Sequence, residues 1–303
     1  MKVFVTGATG YIGGSVATKL LERGDSVIGL ARSDEAAASL KKRGIEPLRG
    51  DINAYTPFVE VTRRVDAVVN AANSDNAFVV HALLDGLKGS GKTLIQTSGS
   101  SVVGAYDNGE ASENTFDEDT PFTPQPEKAM RVAIDEQVLD AAEDNIRTIV
   151  IRPTLIYGRG LGVAATSIQL PKLIDVARKA GVPRHVGRGE NVWGHVHIAD
   201  VVSLYLLALD KAEAGSLFYA ENGEASFKAV AQSIGRMLGL GDKTQDWPIG
   251  EAVEALGPGA YLSFGSNSRV RGKRSRALGW EPKGRALFDE IEHGVYPEVY
   301  GKK

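Results

Sequence analysis

The chain begins with an apolar run, a glycine-spaced turn and a second apolar pattern with a helical period. Residues 3–5 are Val-Phe-Val, which predicts a short buried strand over 2–6. Glycines follow at positions 7, 10 and 13. Ile12, Val16, Leu20 and Leu21 then have the spacing of one helical face, and a glycine at position 24 follows them. The opening therefore predicts a strand, a tight turn and an amphipathic helix.

The same alternation continues through the first half of the chain. Apolar runs predict strands over 27–30, 46–48, 67–70, 93–97 and 148–151. Amphipathic stretches between them predict helices over 35–42, 57–64, 77–87 and 128–143. Strands that alternate with helices indicate an α/β fold with a doubly wound parallel sheet of the Rossmann type and right-handed crossovers.

The second half of the chain is less regular. Residues 158–162 and 181–194 are rich in glycine, which predicts loops around a pocket. Helices are expected over 167–180, 201–209, 227–238 and 286–294. We therefore expect a nucleotide-binding domain over 1–157, joined by about 196–215. A smaller C-terminal substrate lobe is expected over 158–195 and 216–303.

The composition limits the possible partners. The 303 residues include 43% hydrophobic and 24% charged residues, as in a soluble globular protein, and a cytoplasmic location is expected. The formal net charge of −3 favours neither a nucleic acid nor an anionic membrane as partner, and no apolar run is long enough for a transmembrane helix. The absence of cysteine excludes disulfides and thiolate chemistry.

The glycine turn predicts a dinucleotide site. Glycine at positions 7, 10 and 13 permits a tight turn and a close approach of the backbone to a pyrophosphate. The start of the following helix offers unpaired N–H groups and a positive dipole to the phosphates. A glycine triplet alone is a weak signal, but between a strand and a helix it is a strong one.

The end of the second predicted strand indicates which dinucleotide is bound. An NAD site usually has an acidic residue there, which binds the ribose 2′-hydroxyl. Here Arg32 and Ser33 follow the strand and offer donors to a 2′-phosphate. Asp34 is the competing signal, but we interpret it as a first-turn acid of the next helix with Ser33 as its N-cap. NADP is therefore favoured over NAD, although Arg32 can also be a solvated surface charge.

Several further motifs resemble the extended and atypical short-chain dehydrogenase/reductase superfamily, the branch that is similar to NAD-dependent epimerases and dehydratases. They occur along nearly the whole chain and are Gly-Asp-Ile at 50–52, Asn-Ala-Ala at 70–72, Thr-Ser-Gly-Ser at 97–100, Arg-Pro-Thr-Leu-Ile-Tyr-Gly at 152–158, His-Val-His-Ile-Ala-Asp at 195–200 and Leu-Gly-Trp-Glu-Pro at 278–282. The resemblance implies cofactor contacts at two groups of positions. The first group is Gly7, Thr9, Gly10, Tyr11, Ile12, Gly13, Arg32 and Ser33. The second is Asp51, Ile52, Ala71, Ala72, Thr97, Arg131, Pro153 and Leu155.

The catalytic pair of this superfamily is missing. Most members carry Tyr-x-x-x-Lys on the helix after the serine segment, and alignment on Asp135 places Glu127 and Arg131 at these two positions. Arg131 can bind ribose hydroxyls but is a poor proton shuttle, and it can equally form an i,i+4 pair with Asp135. The usual catalytic serine falls on Gly99, so Ser98 and Ser100 become the candidate hydroxyls, together with Arg131 as a catalytic cation.

Three other patterns are set aside. Residues 86–93 match the P-loop pattern, but a predicted helix precedes them and a strand follows, the reverse of what a P-loop needs. The histidines at 185, 195 and 197 with Asp200 lack metal-ligand spacing, so no metal site is expected. A basic cluster can meet a substrate diphosphate or be a solvated face; it comprises Arg269, Arg271, Lys273, Arg274 and Arg276.

The sequence thus predicts an NADP(H)-dependent oxidoreductase that transfers hydride to or from a small carbonyl or alcohol substrate. Two alternatives stay open. One is an enzyme like the nucleotide-sugar epimerases and dehydratases, which retains its cofactor. The other is a non-catalytic NADP(H)-binding sensor, since the tyrosine is missing. A homodimer is possible by analogy with related folds.

Overall fold

The computed structural model describes residues 1–301. The strands are β1 Lys2–Thr6, β2 Ser26–Ala31, β3 Glu46–Arg49, β4 Ala67–Asn70, β5 Thr93–Thr97, β6 Arg147–Pro153, β7 Leu155–Tyr157, β8 Arg184–Val186, β9 Val192–His197, β10 Ser216–Ala220, β11 Glu224–Ser226 and β12 Gln245–Trp247. The helices are α1 Tyr11–Glu22, α2 Asp34–Lys42, α3 Tyr55–Arg63, α4 Ala77–Leu87, α5 Pro126–Asp140, α6 Gln169–Ala180, α7 Ile198–Lys211, α8 Phe227–Leu238, α9 Ile249–Leu256, α10 Ala260–Phe264, α11 Lys273–Ala277, α12 Leu287–His293 and α13 Val295–Tyr300. Short 3₁₀ turns follow β5 at Ser100–Val103 and α5 at Ala141–Asp144.

Seven parallel strands form the main sheet in the order β10-β6-β5-β4-β1-β2-β3. The order reverses at β1, so the crevice beyond the carboxyl ends of β1 and β4 is the expected ligand position. The predicted doubly wound sheet is confirmed, and the predicted bounds of α4 and β5 are those observed. Helix α5 begins two residues earlier than predicted, because Pro126 fits the first helical turn.

Both faces of the sheet are covered by apolar helices. Helices α1 and α7 pack on one face, where Val16, Leu204 and Tyr205 are fully buried. On the other face Phe58, Leu83 and Ile134 belong to the core that α3, α4 and α5 form with the sheet. No helix within residues 1–301 is both long and apolar enough to cross a membrane.

A second core lies in the C-terminal half of the chain. It joins a three-stranded sheet β11-β9-β7 and the pair β12-β8 with helices that include α6 and α8. Strand β10 departs from the predicted division, which placed all of 216–303 in the smaller lobe. Ser216–Ala220 pairs with β6 and completes the large sheet, because its buried Leu217–Ala220 run fits beside that strand.

The start of α7 fastens the C-terminal segment to the sheet domain. The carboxylate of Asp200 accepts backbone hydrogen bonds from Lys283 and Gly284 at 2.7–3.0 Å. The ring of Trp280 donates to the carbonyl of Asp200 at 3.0 Å, and His197 Nδ1 accepts from the backbone of Ala199. These contacts join the His-Val-His-Ile-Ala-Asp segment at 195–200 to the C-terminal segment around Trp280 and Gly284.

Candidate functional site

The glycine turn after β1 is closed in a way that only glycine permits. Gly7 has φ +67°, and a Cβ atom there would lie 2.5 Å from the carbonyl oxygen of Ala71. A Cβ at Gly13 would lie 2.5 Å from the carbonyl oxygen of Gly7. Gly10 donates its N–H to the same oxygen at 2.8 Å. The turn therefore brings β1, α1 and the loop after β4 into backbone contact and leaves no room for a side chain at positions 7 and 13.

Helix α1 presents its N-terminus to this cradle. Gly10 is the N-cap, and no side chain within residues 1–301 accepts a hydrogen bond from the first turn. Because the first N–H groups of a helix need external acceptors, the helix start favours an anion. The observed turn therefore fits a pyrophosphate.

A groove runs across the glycine turn along the carboxyl edge of the sheet. It consists of two cavities of about 530 and 330 Å³ that share Gly10, Ala71 and Ala72. The predicted cofactor residues that line it are Gly7, Thr9, Gly10, Tyr11, Ile12, Arg32, Ser33, Ile52, Ala71 and Ala72. Residues that line it without having been predicted are Leu30, Ala36, Asn73, Thr154, Ile156, Ser167, Ile168 and Gln169.

Buried polar side chains hold the floor of this groove. Asn70 accepts from the hydroxyl of Thr6 and donates to Gln96 at 2.7 Å, so that β1, β4 and β5 are linked near their carboxyl ends. The hydroxyl of Thr6 also accepts from the backbone N–H of Ala71 at 3.1 Å. Ala71 is thereby fixed at the position where the two cavities meet.

The larger cavity, which lies beside β2 and α2 and forms the outer end of the groove, carries an unpaired cation. Ser33 is the N-cap of α2 and accepts from the backbone of Ala36 at 3.1 Å, as predicted. Asp34 lies in the first turn of that helix and pairs with Arg49 at 3.2 Å. Arg32 is exposed, lines the groove and has no hydrogen-bond or ion-pair partner in the described part of the chain. Asp51 is not a lining residue and accepts from the backbone of Asn53.

The loop after β7 packs on the outer side of helix α1. The hydroxyl of Tyr11 donates to the carbonyl of Gly158 at 2.8 Å, and burial raises the pKa of this phenol. Ser15 accepts from the backbone of Leu161 at 3.0 Å. A Cβ at Gly162 would lie 2.6 Å from backbone atoms of Gly14, so the loop and the helix are in direct backbone contact. This contact fixes helix α1, which lines the groove with Tyr11 and Ile12, to the loop after β7.

Ser98 belongs to a buried charged network. Its hydroxyl donates to Asp135 at 2.7 Å, and Arg152 Nε donates to the same carboxylate oxygen at 2.8 Å. The guanidinium of Arg152 also lies over the rings of Phe122 and Tyr219. The i,i+4 pair of Arg131 with Asp135, one of the two alternatives for Arg131, is not formed, because Arg152 takes this carboxylate. Ser98 thus has a structural partner, and its catalytic role stays a prediction.

The neighbouring hydroxyls also have partners. Ser268 donates to the side chain of Ser100 at 2.8 Å, and Ser100 is almost fully buried. The hydroxyl of Thr97 lies 2.7 Å from that of Tyr205, on the face of the sheet covered by α7. Thr97, Ser98 and Ser100 are therefore all engaged with other side chains rather than turned into the groove, and the buried Pro153 and Leu155 are not among its lining residues.

Arg131 is held by a carboxylate that the sequence analysis missed. Its Nε and Nη2 donate to the two oxygens of Asp75 at 2.8 and 2.6 Å, a bidentate fork across the cleft from α5 to the loop after β4. Nη1 has no acceptor among the described residues and lies 3.4 Å from where a Cβ would stand at Gly99. A serine at position 99 would compete for this space, so Gly99 leaves room for the guanidinium.

Glu127, at the position of the family's tyrosine, is exposed and accepts a hydrogen bond from the side chain of Tyr106. The hydroxyl of Tyr106 donates to its carboxylate at 2.6 Å, and the Tyr106 ring packs edge-on against Tyr261. This hydrogen bond raises the pKa of Tyr106 and lowers that of Glu127. Glu127 therefore stays ionised, which excludes it as a general acid near neutral pH.

Neither the basic cluster nor the histidines form a free ligand site. Each of the five cations lies in an ion pair with a carboxylate; the pairs are Arg269 with Glu113 and Glu224, Arg271 with Glu224, Lys273 with Asp117, Arg274 with Asp119 and Arg276 with Glu221. Within residues 1–301, no group of three or more histidine or carboxylate side chains is arranged to hold a metal ion.

Comparisons with known proteins agree with this geometry. The family model for the NAD dependent epimerase/dehydratase family matches residues 3–219. An uncharacterized protein of Schizosaccharomyces pombe is 30% identical over 98% of this chain and all of its own length. The 4-hydroxy-2-methyl-3-oxo-4-farnesyl-3,4-dihydroquinoline-1-oxide ketoreductase of Stigmatella aurantiaca is 26% identical over 74% of this chain and 69% of its own. The solved structure of dTDP-glucose 4,6-dehydratase from Bacillus anthracis in complex with NAD has a TM-score of 0.78 at 20% identity and covers 99% of this chain and 96% of its own.

The sheet order and the glycine turn define a Rossmann-fold protein with the strand-turn-helix arrangement of a dinucleotide site. The match over residues 3–219 is narrower: this chain belongs to the NAD dependent epimerase/dehydratase family. The resemblance stated from the sequence motifs is therefore confirmed.

Proposed function

We propose that this protein is an NADP(H)-dependent oxidoreductase of the atypical short-chain type, which reduces a small carbonyl compound or oxidises the matching alcohol. The observation that carries the proposal is the continuous groove across the glycine turn, with an unpaired Arg32 at one end. Arg131 is fixed by Asp75 in the cleft between α5 and the loop after β4. The family membership and the ketoreductase relative support the reaction class.

The preference for NADP rests on how the charges after β2 are arranged. Arg32 is exposed at the groove and has all its donors available within the described chain, whereas Asp34 is paired with Arg49. A guanidinium binds a phosphate with two parallel hydrogen bonds. An acidic residue that accepted from the ribose 2′-hydroxyl would instead favour NAD.

The smaller cavity, which forms the inner end of the groove, would hold the nicotinamide. The nicotinamide would supply or accept the hydride. Thr154 and Ile156 follow β6 and line this cavity with Ile12. Arg131 Nη1 would donate to the substrate oxygen or to a ribose hydroxyl, and Asp75 fixes its direction. A preoriented cation at this place stabilises negative charge that develops on the oxygen.

A carbonyl substrate is favoured over a nucleotide sugar by the state of the basic cluster. All five of its cations are already paired with carboxylates, so a substrate diphosphate would have to displace an acidic partner. The inner cavity is lined mainly by apolar atoms, which include side chains of Ile12, Ile156 and Ile168. Both features suit a less charged substrate.

The test begins with cofactor binding. Dissociation constants for NADP⁺ and NAD⁺ are measured by calorimetry for the wild type and for Arg32→Ala, with the exposed Arg63→Ala as the control. We expect Arg32→Ala to weaken NADP⁺ at least about tenfold and to change NAD⁺ less than about twofold, since it removes a charge-assisted contact to the 2′-phosphate. Equal losses for both dinucleotides would exclude Arg32 as the selecting residue.

The reaction is tested by NADPH oxidation with a panel of ketones, aldehydes and 3-oxo acids. Stoichiometric consumption of NADPH with formation of the alcohol supports the proposal. A UDP- or dTDP-sugar that is converted while the dinucleotide stays bound and unconsumed would support the epimerase or dehydratase alternative. Tight NADPH binding without turnover of either kind would support a sensor, which the missing tyrosine makes the second candidate.

A further inference from the structure

We propose that Lys128 is the proton donor to the substrate oxygen, in place of the tyrosine that this chain lacks. The proposal rests on the oxidoreductase function proposed above. It draws on the ion pair of Arg131 with Asp75 across the cleft between α5 and the loop after β4, and on the position of Lys128 one helical turn before Arg131. Neither the motif at 97–100 nor the Glu127 position supplies a free acid there.

The placement of Lys128 follows from helix geometry. It precedes Arg131 by three residues on α5, so both side chains lie on the same side of the helix. Lys128 is half-buried although it lies in the first turn, whereas its neighbour Glu127 is exposed and bonded to Tyr106. Its ammonium group has no hydrogen-bond or ion-pair partner among residues 1–301, while Arg131 is fixed to Asp75. Lys128 is therefore the available proton carrier beside Arg131.

The surroundings of Lys128 make its ammonium group a better acid than that of a free lysine. Burial and the positive charge of Arg131 lower the pKa of Lys128, and the carboxylates of Asp75 and Glu127 offset part of this effect. The start of helix α5 adds positive dipole at the same point. A general acid works best when its pKa is near the operating pH, so these charges favour proton release.

Tyr106 is the other proton-bearing group near this helix turn, and it is less suitable. Its hydroxyl donates to the carboxylate of Glu127, which raises the pKa of Tyr106. Loss of the phenol proton would place two negative oxygens 2.6 Å apart. Tyr106 therefore keeps its proton, whereas a neutral Lys128 beside the cationic Arg131 removes a repulsion.

The proposed step balances in atoms and charge. Bound NADPH would supply a hydride from its nicotinamide C4 to the carbonyl carbon, with the C=O π pair moving to oxygen. That oxygen takes a proton from Lys128 Nζ, while Arg131 Nη1 donates a hydrogen bond to it. The products are an alcohol, NADP⁺ and a neutral Lys128 amine, which regains its proton from water because the residue is only half-buried.

The first measurement does not depend on turnover. Trace acetylation of all lysines is followed by mass spectrometry from pH 6 to 11, with the exposed Lys179 as internal control. We expect Lys128 to react with a midpoint at lower pH than Lys179, and saturating NADP⁺ to slow the reaction of Lys128 at least about threefold but not that of Lys179. A midpoint equal to that of Lys179, or no protection by NADP⁺, would overturn the placement.

The second measurement is the carbonyl reduction itself. Lys128→Ala and Lys128→Arg should lower kcat about 10²-fold or more, as for loss of a general acid, with the Kd for NADPH within about twofold and Lys179→Ala unchanged. Small primary amines should restore part of the activity of Lys128→Ala. Its pH profile should also lose the decline at high pH that deprotonation of Lys128 causes in the wild type.

The outcomes separate the two proposals. If the wild type oxidises NADPH with a carbonyl and Lys128→Ala keeps its kcat, the assignment of Lys128 is wrong and the oxidoreductase function stands. If the wild type reduces no carbonyl in the panel, both are overturned.

Discussion

The buried pair of Asp135 and Arg152 permits the sharpest test of how this site is held together. Asp135 is fully buried and accepts from both Ser98 and Arg152 through one carboxylate oxygen. The Arg152 side chain is 6% exposed. Asp135→Asn keeps the shape and one acceptor oxygen but removes the charge. The guanidinium of Arg152 is then left in the interior without a counter-ion.

The expected cost follows from these contacts. Removal of one partner of a buried ion pair usually costs about 3–5 kcal/mol, because the other charge stays desolvated. Arg152 retains its cation–π contacts with Phe122 and Tyr219, at 5.6 and 5.7 Å, and each is worth about 1 kcal/mol. We therefore expect the lower end of the range, about 3 kcal/mol. In a chain of this size the melting temperature should fall by roughly 6 °C.

Urea unfolding at pH 7, followed by circular dichroism, gives the free energy of unfolding of each variant. The matched control is Asp119→Asn, which removes the charge from a largely exposed pair with Arg274. It should cost less than about 0.5 kcal/mol. A loss below about 1 kcal/mol for Asp135→Asn, with an unchanged m-value, would refute the view that this buried charge holds Arg152.

Three further predictions concern the glycine turn, a buried histidine and the catalytic cleft. Gly13→Ala places a Cβ 2.5 Å from the backbone oxygen of Gly7 and should weaken dinucleotide binding at least about tenfold by calorimetry. Burial lowers the pKa of His195 to about 4, so the unfolded state binds more protons below about pH 6.5. Stability should fall as the pH drops from about 6.5 to 4, and urea titrations of His195→Asn should show a smaller decline. Gly99→Ser should lower kcat in the carbonyl assay rather than raise it, because the Cβ would stand 3.4 Å from Arg131 Nη1 and the hydroxyl would compete with the substrate oxygen for this donor.

The main sheet could be predicted because its signals are local. Strands buried on both faces appear as short continuous apolar runs, and those at 67–70 and 93–97 are observed with the same bounds. The glycine turn could also be predicted, since the positions of Gly7 and Gly13 follow from close backbone contacts that exclude a side chain. The place of strand β10 in the main sheet could not be predicted from the sequence. Its partner β6 lies more than 60 residues earlier, and no residue near 216–220 indicates that pairing.

The contacts around the predicted catalytic residues could not be predicted in the same way. Asp75 and Arg131 are 56 residues apart, and neither lies in a motif that indicates the other. Helix spacing left open a pair of Asp135 with Arg131, but the desolvated guanidinium of Arg152 takes this carboxylate. Side-chain partners across a cleft depend on how the elements pack, whereas helix spacing reports only neighbours along one element.

The departures from the family's catalytic pattern are coupled in space. Arg131 is longer than the usual lysine, and its Nη1 lies over Gly99, where the usual serine would extend. The same guanidinium needs a fixed counter-ion to hold one direction, and Asp75 provides both oxygens. The guanidinium of Arg131 therefore borders the space that a side chain at position 99 would enter. A site rebuilt around a fixed cation can still stabilise charge on a substrate oxygen, but it needs a separate source for the proton.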